Sequence, residues 1–218
     1  MSLVERLLQI DVSALSDADK TLPIADPAIR AMIPDVRMAG PAFTVVAEDD
    51  HLPVLGAIAE AAPGDVIVIA TNGGTRAVFG ELFATEARRR GLAGIVADGY
   101  CRDLRGLRAI GLPVFARGTT PRSGTTVSRA AFGQAITVGG VEVSPGDIVF
   151  GDDDGLLIAT GARIADALET AELIARSERA ILAAQARGEP LHALTNHEEH
   201  VAALDRGEVS SLAFRVDG

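Results

Sequence analysis

The sequence predicts a layered α/β protein with a mixed sheet. This prediction is based on the arrangement of apolar runs along the chain. Between residues 42 and 116, short apolar runs alternate with helical patterns, as in parallel β-α-β units. From residue 125 to 160, short runs separated by glycine turns indicate antiparallel hairpins. An amphipathic pattern over residues 161–188 predicts a long helix. The length of 218 residues suits one domain, residues 1–218, with a C-terminal helical extension from about residue 161.

The elements before the centre of the chain follow from local patterns. Residues 2–10 have helical spacing and a serine cap, whereas residues 11–23 are polar and have the composition of a connector. Residues 27–32 fit one helical turn, residues 42–47 a strand, and residues 52–62 a helix. The inner face of that last helix is predicted to comprise Leu55, Ile58 and Ala59.

The central unit has the pattern strand, glycine turn, helix, strand and loop. Residues 65–70 form an apolar, β-branched run that predicts a buried strand, and residues 94–97 predict a second one. Between them, a helix is expected to begin near Gly80 and to stop at Gly91 after basic residues in its last turn. Its apolar positions are Leu82, Ala84, Ala87 and Leu92. The loop after the second strand carries Arg102 and Asp103.

Chemistry-bearing side chains in this unit are expected to converge. The loops that follow two parallel strands open on the same carboxyl edge, where ligands of α/β sheets usually bind. Glu81 leaves the first loop, and Arg102 and Asp103 leave the second. Two carboxylates can hold a hard divalent cation, while a guanidinium and free helix-start amides can hold an anion. Spacing alone also fits a surface ion pair at Arg102–Asp103 and a first-turn acid at Glu81.

Bulk properties exclude several classes of function. The formal net charge of −10 argues against a general nucleic-acid binder and against binding to anionic membranes. Cys101 is the only cysteine, which excludes an intrachain disulfide, and it is expected to be a buried structural thiol. Neither a bilayer-spanning run nor a secretory signal is visible, so a cytoplasmic protein is expected.

Several motifs together resemble one known family. The pattern is an acidic residue at a helix start followed, about twenty residues later, by Arg-Asp, and further matches lie between residues 17 and 160. They are Gly40-Pro41-Ala42-Phe43-Thr44-Val45, Pro63-Gly64-Asp65-Val66, Asp98-Gly99, Pro113-Val114-Phe115-Ala116-Arg117-Gly118, Gly139-Gly140-Val141, Pro145-Gly146-Asp147 and Asp152-Asp153-Asp154-Gly155. The chain resembles the RraA-like family, in particular the class II pyruvate aldolases related to 4-hydroxy-4-methyl-2-oxoglutarate aldolase. The resemblance implies an αββα sandwich with a mixed central sheet, similar to swivelling phosphohistidine-type domains. It also implies a homotrimer or hexamer with active sites at subunit interfaces.

The same resemblance implies a reaction and roles for the site residues. Mg²⁺ or Mn²⁺ would bind Asp103 directly and Glu81 through water, although many of these aldolases have aspartate in the position of Glu81. Arg102 would hold the keto oxygen, and the backbone amides of Gly80, Glu81, Leu82 and Phe83 would hold the substrate carboxylate. The substrate would be 4-hydroxy-4-methyl-2-oxoglutarate or 4-carboxy-4-hydroxy-2-oxoadipate, cleaved to pyruvate and a 2-oxo acid, with water as the base. Oxaloacetate decarboxylation would be a side activity.

Two other functions fit the same sequence. The family includes regulators that bind a ribonuclease without chemistry, and fold alone does not separate these from enzymes. A sugar-acid lyase or hydratase could use the same carboxylates. A Schiff-base aldolase is disfavoured because Lys20, the only lysine, lies in the polar connector. The cluster His197-Glu198-Glu199-His200 lacks the spacing of a zincin motif and is interpreted as a solvated helix face.

Overall fold

The computed structural model describes residues 1–129 and 132–215 and has a mixed α/β fold, as predicted. The strands are β1 (Arg30–Ala31), β2 (Met38–Val46), β3 (Val66–Ala70), β4 (Gly94–Cys101), β5 (Val114–Thr119), β6 (Ile136–Val138), β7 (Val141–Val143), β8 (Ile148–Asp152) and β9 (Gly155–Ala159). The helices are α1 (Leu3–Leu7), α2 (Val12–Ala18), α3 (Leu52–Glu60), α4 (Glu81–Arg89), α5 (Leu104–Ile110), α6 (Gly161–Ala186) and α7 (His197–Asp205), with a 3₁₀ turn at Leu191–Leu194.

The larger sheet combines a parallel centre with antiparallel edges. Its strand order is β1-β5-β4-β3-β2-β8-β9, and β2, β3, β4 and β5 are parallel neighbours. All five residues of β3 are buried, as expected for a central strand covered on both faces. Strands β1, β8 and β9 pair antiparallel, and β6 and β7 form a separate hairpin. The predicted mixed sheet is therefore confirmed.

The sheet curls so that two β layers lie between two helical layers. One face of the parallel strands packs against α3, α4 and α5 in a cluster that includes Ile67 and Ile95. The opposite face packs against the β6–β7 hairpin and against one face of β8–β9, through residues such as Val68 and Val149. The outer face of β8–β9, which carries Phe150, packs on α1, α2 and α6. The layers follow from the period of two in these strands, because adjacent residues point into different clusters.

Two segments differ from the sequence prediction. The polar stretch of residues 11–23 contains helix α2, which is stabilised by tertiary packing: Val12, Ala14 and Leu15 are buried against the outer face of β8–β9 and against α6. Residues 27–32 do not form the expected helical turn. Instead, Arg30 and Ala31 pair with β5 as the edge strand β1.

The buried faces of α3 and α4 also differ from the expectation. Helix α3 buries Val54, Ala57 and Ile58, whereas Leu55 and Ala59 are exposed. In α4, Ala84 and Ala87 are buried, but the side chain of Leu82 is 80% exposed. Leu82 lies in the first turn, beyond the edge of the sheet, so the core does not extend far enough to cover it.

The long C-terminal helix forms as predicted, with Thr160 as its N-cap. Its distal end makes a small separate cluster of Ile181 and Ala184 with Leu194. In the described part of the chain, no helix combines the length and the apolar character that a membrane-spanning segment requires.

Candidate active site

Helices α4 and α5 begin side by side at the carboxyl edge of the sheet. Strands β3 and β4 are parallel, and the segment that precedes α4 runs beside the end of β4. The Val78 N–H donates to the Tyr100 carbonyl at 3.1 Å, and the Arg102 N–H donates to the Phe79 carbonyl at 3.1 Å. These backbone bonds place the start of α4 against the Arg102–Asp103 loop, as the sequence predicts for two parallel strands.

Asp103 lies at the junction of the two helices. Its backbone is left-handed (φ 60°, ψ 40°), a conformation that aspartate adopts more readily than most residues. Its Oδ2 atom accepts a hydrogen bond of 3.3 Å from the Glu81 N–H and lies 3.4 Å from the Arg102 Nε atom. The side chain is 41% exposed, and within residues 1–129 and 132–215 its Oδ1 atom accepts no hydrogen bond. One oxygen of this partly exposed carboxylate is therefore oriented by the protein, and the other is left for a ligand.

Glu81 points from α4 towards the first turn of α5. Its carboxyl group lies so close to Gly106 that a Cβ atom there would be 2.3 Å from the Glu81 Cδ atom. Glu81 and Asp103 line one open depression of about 470 Å³, together with residues of α5. Two of the three predicted side chains thus share a surface on the α5 side of the junction.

Arg102 faces a second, smaller cleft on the other side of Asp103. This cleft has a volume of about 110 Å³ and is lined by Arg102 and Asp103, the first turn of α4, Phe79 and two residues that the sequence did not single out, His51 and Ser123. Within α4, Ala84 is the first residue whose N–H reaches a helical carbonyl, that of Gly80 at 3.1 Å. The amides of Leu82 and Phe83 precede it and have no intrahelical acceptor.

The loop that carries Ser123 is fixed by a buried carboxylate. Asp50 is 1% exposed and accepts hydrogen bonds from the N–H groups of Leu52, Val127 and Ser128 and from the Thr125 hydroxyl, at 2.7–2.9 Å. Burial raises the pKa of Asp50, but these hydrogen bonds outweigh burial and hold its pKa well below the ordinary value. The loop that carries Ser123, which forms one wall of the cleft, is therefore held in place by hydrogen bonds to Asp50.

The donor set fits a hard cation that keeps most of its water. Glu81 and Asp103 supply two carboxylates to one depression, and the described residues contain no group of three or more histidine, cysteine, aspartate or glutamate side chains placed to hold a metal. Mg²⁺ is typically bound through one or two carboxylates and several waters, whereas zinc sites require three or four protein ligands. The residues present thus fit Mg²⁺ or a similar ion.

Cys101 does not belong to this chemistry. The residue is fully buried, and burial raises the pKa of its thiol to about 12. A thiol with this pKa stays protonated at neutral pH, in agreement with the structural role expected from the sequence.

Comparisons with known proteins give consistent matches. The sequence profile of the RraA-like family, described as Aldolase/RraA, matches residues 12–158. A protein of Halalkalibacterium halodurans named "Putative 4-hydroxy-4-methyl-2-oxoglutarate aldolase" is 36% identical over 174 residues, which cover 79% of this chain and 83% of that protein.

Solved structures agree with the sequence comparison. An uncharacterized protein of Pseudomonas syringae pv. tomato superposes with a TM-score of 0.78 at 26% identity, covering 88% of this chain and 95% of the other. The RNA-processing inhibitor RraA of Thermus thermophilus superposes with a TM-score of 0.63 at 28% identity, covering 68% of this chain and 91% of the other. With two thirds of its length matched by the family profile and a 36% identical relative, this chain belongs to the RraA-like family.

Proposed function

We propose that the protein is a divalent-metal-dependent aldolase that cleaves a 4-hydroxy-2-oxo acid to pyruvate and a second 2-oxo acid. The observation that carries the proposal is the position of Asp103, whose Oδ2 atom is held by the Glu81 amide and Arg102 while its other oxygen accepts no hydrogen bond from the described residues. The name of the Halalkalibacterium halodurans relative supports the same reaction class and suggests 4-hydroxy-4-methyl-2-oxoglutarate as the substrate. The compound 4-carboxy-4-hydroxy-2-oxoadipate has the same reacting group.

In this proposal Asp103 binds Mg²⁺ or Mn²⁺ directly, and Glu81 binds it through water. When bound, the ion supplies Lewis acidity at the keto oxygen. Arg102 lies beside Asp103, where its guanidinium can donate to the same keto oxygen as negative charge develops there. The amides of Leu82 and Phe83, at the positive end of α4, would hold the substrate carboxylate. The ion and Arg102 thus act on the keto oxygen of the 2-oxo acid, and the two backbone amides act on its carboxylate.

Pyruvate release tests the proposal directly. The purified protein is assayed with 4-hydroxy-4-methyl-2-oxoglutarate and with oxaloacetate, first with Mg²⁺ and then with EDTA, beside the variant Asp103→Ala. We expect release that requires the metal and is lost in the variant. A folded wild-type protein that releases no pyruvate from either substrate with Mg²⁺ or Mn²⁺ present contradicts the proposal, and sugar acids are then the next substrates to test.

We also propose that the active protein is a homotrimer or hexamer in which a neighbouring subunit covers the site. The support is the apolar surface around the cleft: Leu82 is 80% exposed, and Leu52 and Val127 are exposed nearby. Light scattering coupled to gel filtration measures the mass. A monomeric mass at assay concentrations would contradict the proposed homotrimer or hexamer.

A regulator that binds a ribonuclease is the second candidate function. It is supported by the similarity to the RNA-processing inhibitor RraA of Thermus thermophilus. Such a regulator would need no Asp103 carboxylate, so binding of a ribonuclease that survives Asp103→Ala, together with absent pyruvate release, would favour it over the aldolase.

A further inference from the structure

His51 reaches the candidate site from a third loop at the same edge of the sheet. It follows β2, which is parallel to β3, and so its loop opens beside those that carry Gly80 and Arg102. The side chain lines the 110 Å³ cleft together with Arg102 and Asp103. The sequence did not single out His51, which directly precedes the helix predicted for residues 52–62 and lies far from Asp103 along the chain.

The surroundings of His51 fix its place but leave its ring free to interact. Its ring packs on Phe83, with centroids 5.8 Å apart and planes tilted by 54°. The backbone N–H of His51 donates to the Thr125 carbonyl at 3.0 Å, and the Thr125 hydroxyl donates to the buried carboxylate of Asp50. The ring makes no capping hydrogen bond to α3, and in the part of the chain that the structure describes its nitrogens have no hydrogen-bond partner. A ring that is held by packing beside a cleft, with nitrogens that make no hydrogen bond to the described residues, suits proton transfer.

The proposed reaction needs a side chain that can accept a proton from the substrate. Cleavage of a 4-hydroxy-2-oxo acid requires a base for the C4 hydroxyl proton. Asp103 and Glu81 are assigned to the cation, the guanidinium of Arg102 has donors but no acceptor, and the hydroxyl of Ser123 is a weak base. Histidine is the side chain whose neutral form accepts a proton near pH 7. Among the described residues that line the cleft, His51 is therefore the best-suited base.

We propose that His51 is the proton acceptor for the C4 hydroxyl group of the substrate, an inference that rests on the proposed aldolase function. A neutral ring nitrogen takes the hydroxyl proton while the C4 carbonyl forms and the C3–C4 bond breaks. The electron pair of that bond moves to the C2 oxygen and gives the enolate of pyruvate. The imidazolium then returns the proton to C3. The proton is conserved, and no further reactant is needed.

Two reactions that share the enolate separate this role from a structural one. Oxaloacetate loses carbon dioxide without a hydroxyl proton to remove, so only aldol cleavage needs the acceptor. In His51→Ala, we expect the ratio of cleavage of 4-hydroxy-4-methyl-2-oxoglutarate to decarboxylation of oxaloacetate to fall about 100-fold, the usual scale for a general base. Added imidazole is expected to restore cleavage in proportion to its concentration.

The controls use the full chain with Mg²⁺. His51→Gln keeps much of the volume of the ring without its basicity, and it is expected to show the same fall in the ratio. This variant provides the test if His51→Ala does not fold. His192→Ala removes an exposed histidine beyond α6 and is expected to leave the ratio unchanged. Unfolding curves of all variants report on the fold.

The outcomes are distinguishable. An active wild-type protein whose ratio is unchanged in both His51 variants, or whose two activities fall together without rescue by imidazole, overturns the role of His51 alone. A wild-type protein inert towards both substrates overturns the aldolase proposal and this inference with it.

Discussion

Gly80 lies directly against Asp103, with no room for a side chain between them. A Cβ atom at Gly80 would be 2.4 Å from the Asp103 Oδ2 atom and 2.8 Å from the Arg102 Cγ atom. Both distances are far below van der Waals contact. The close approach of the α4 start to the Arg102–Asp103 loop therefore requires glycine at this position for steric reasons.

The first prediction concerns Gly80→Ala. The added methyl group must displace the side chains of Asp103 and Arg102, and a shift of about 1 Å in such groups lowers rates by about 100-fold. Because the Asp103 carboxylate is partly exposed, it can move into solvent, and we expect the free energy of unfolding to change by about 1 kcal/mol or less. Pyruvate release and thermal unfolding measure the two effects.

Gly161→Ala is the matched control for that substitution. A Cβ atom at Gly161 would meet its nearest neighbours at 3.7 and 3.8 Å, which are ordinary contacts. This variant is expected to keep full activity. Full activity in Gly80→Ala as well would show that the positions of Asp103 and Arg102 do not matter for the reaction.

The second prediction concerns Gly106→Ala, which is expected to displace the side chain of Glu81 rather than those of Asp103 and Arg102. A Cβ atom at Gly106 would lie 2.4 Å from the Glu81 Oε2 atom, so the exposed glutamate must swing away from α5. Because Glu81 is proposed to bind the cation through water, we expect the Mg²⁺ concentration for half-maximal activity to rise about tenfold. Alanine also favours the helix over glycine by about 1 kcal/mol, so α5 is expected to persist.

A metal titration of activity, with Glu81→Gln beside Gly106→Ala, checks this expectation. Both variants are expected to need more Mg²⁺ while keeping most of the rate at saturation. An unchanged metal requirement in both would remove Glu81 from the metal site and leave it as a first-turn acid of α4.

The third prediction concerns Asp50 and acid stability. The pKa of Asp50 is lower in the folded protein than in the unfolded chain, so its contribution to stability is complete above the unfolded value of about 4 and is lost as the pH falls towards the folded value. Asp50→Asn replaces a charge that accepts four hydrogen bonds, and we expect a loss of about 3 kcal/mol at pH 7. The difference from the wild type is expected to shrink below about pH 4.

Urea unfolding at a series of pH values measures this difference. Asp17→Asn serves as the control, since Asp17 forms an exposed ion pair with Lys20 and such pairs contribute about 1 kcal/mol or less. A stability difference for Asp50→Asn that does not depend on pH would mean that the charge of Asp50 does not stabilise the loop.

The central unit was predictable because its signals are local. A β-branched apolar run forms β3, and glycines mark both ends of α4. The meeting of Glu81 with Asp103 followed from one topological rule, that parallel neighbouring strands end at the same edge. The antiparallel hairpins β6–β7 and β8–β9 were likewise predicted from short apolar runs and their glycine turns.

Other features depended on partners that are distant in sequence. Helix α2 forms in a polar segment because α6 and β9 cover its few apolar residues. The exposure of Leu82 and Leu55 depends on where the core ends. Helical periodicity predicts the apolar face of a helix but not how far the core extends along it.

The mixed α/β fold and the junction of Glu81, Arg102 and Asp103 could be predicted from the amino-acid sequence, since both follow from local patterns and parallel strand order. The folded structure was needed to show that Asp103 lines both the depression of Glu81 and the cleft of Arg102, and that His51 and Ser123 line this cleft. These contacts depend on the packing of the loops that follow four strands, β2, β3, β4 and β5, and on the buried Asp50, whose hydrogen bonds hold the loop of Ser123 in place. Such packing is set by side-chain volume and hydrogen bonding in three dimensions, which no single stretch of sequence encodes.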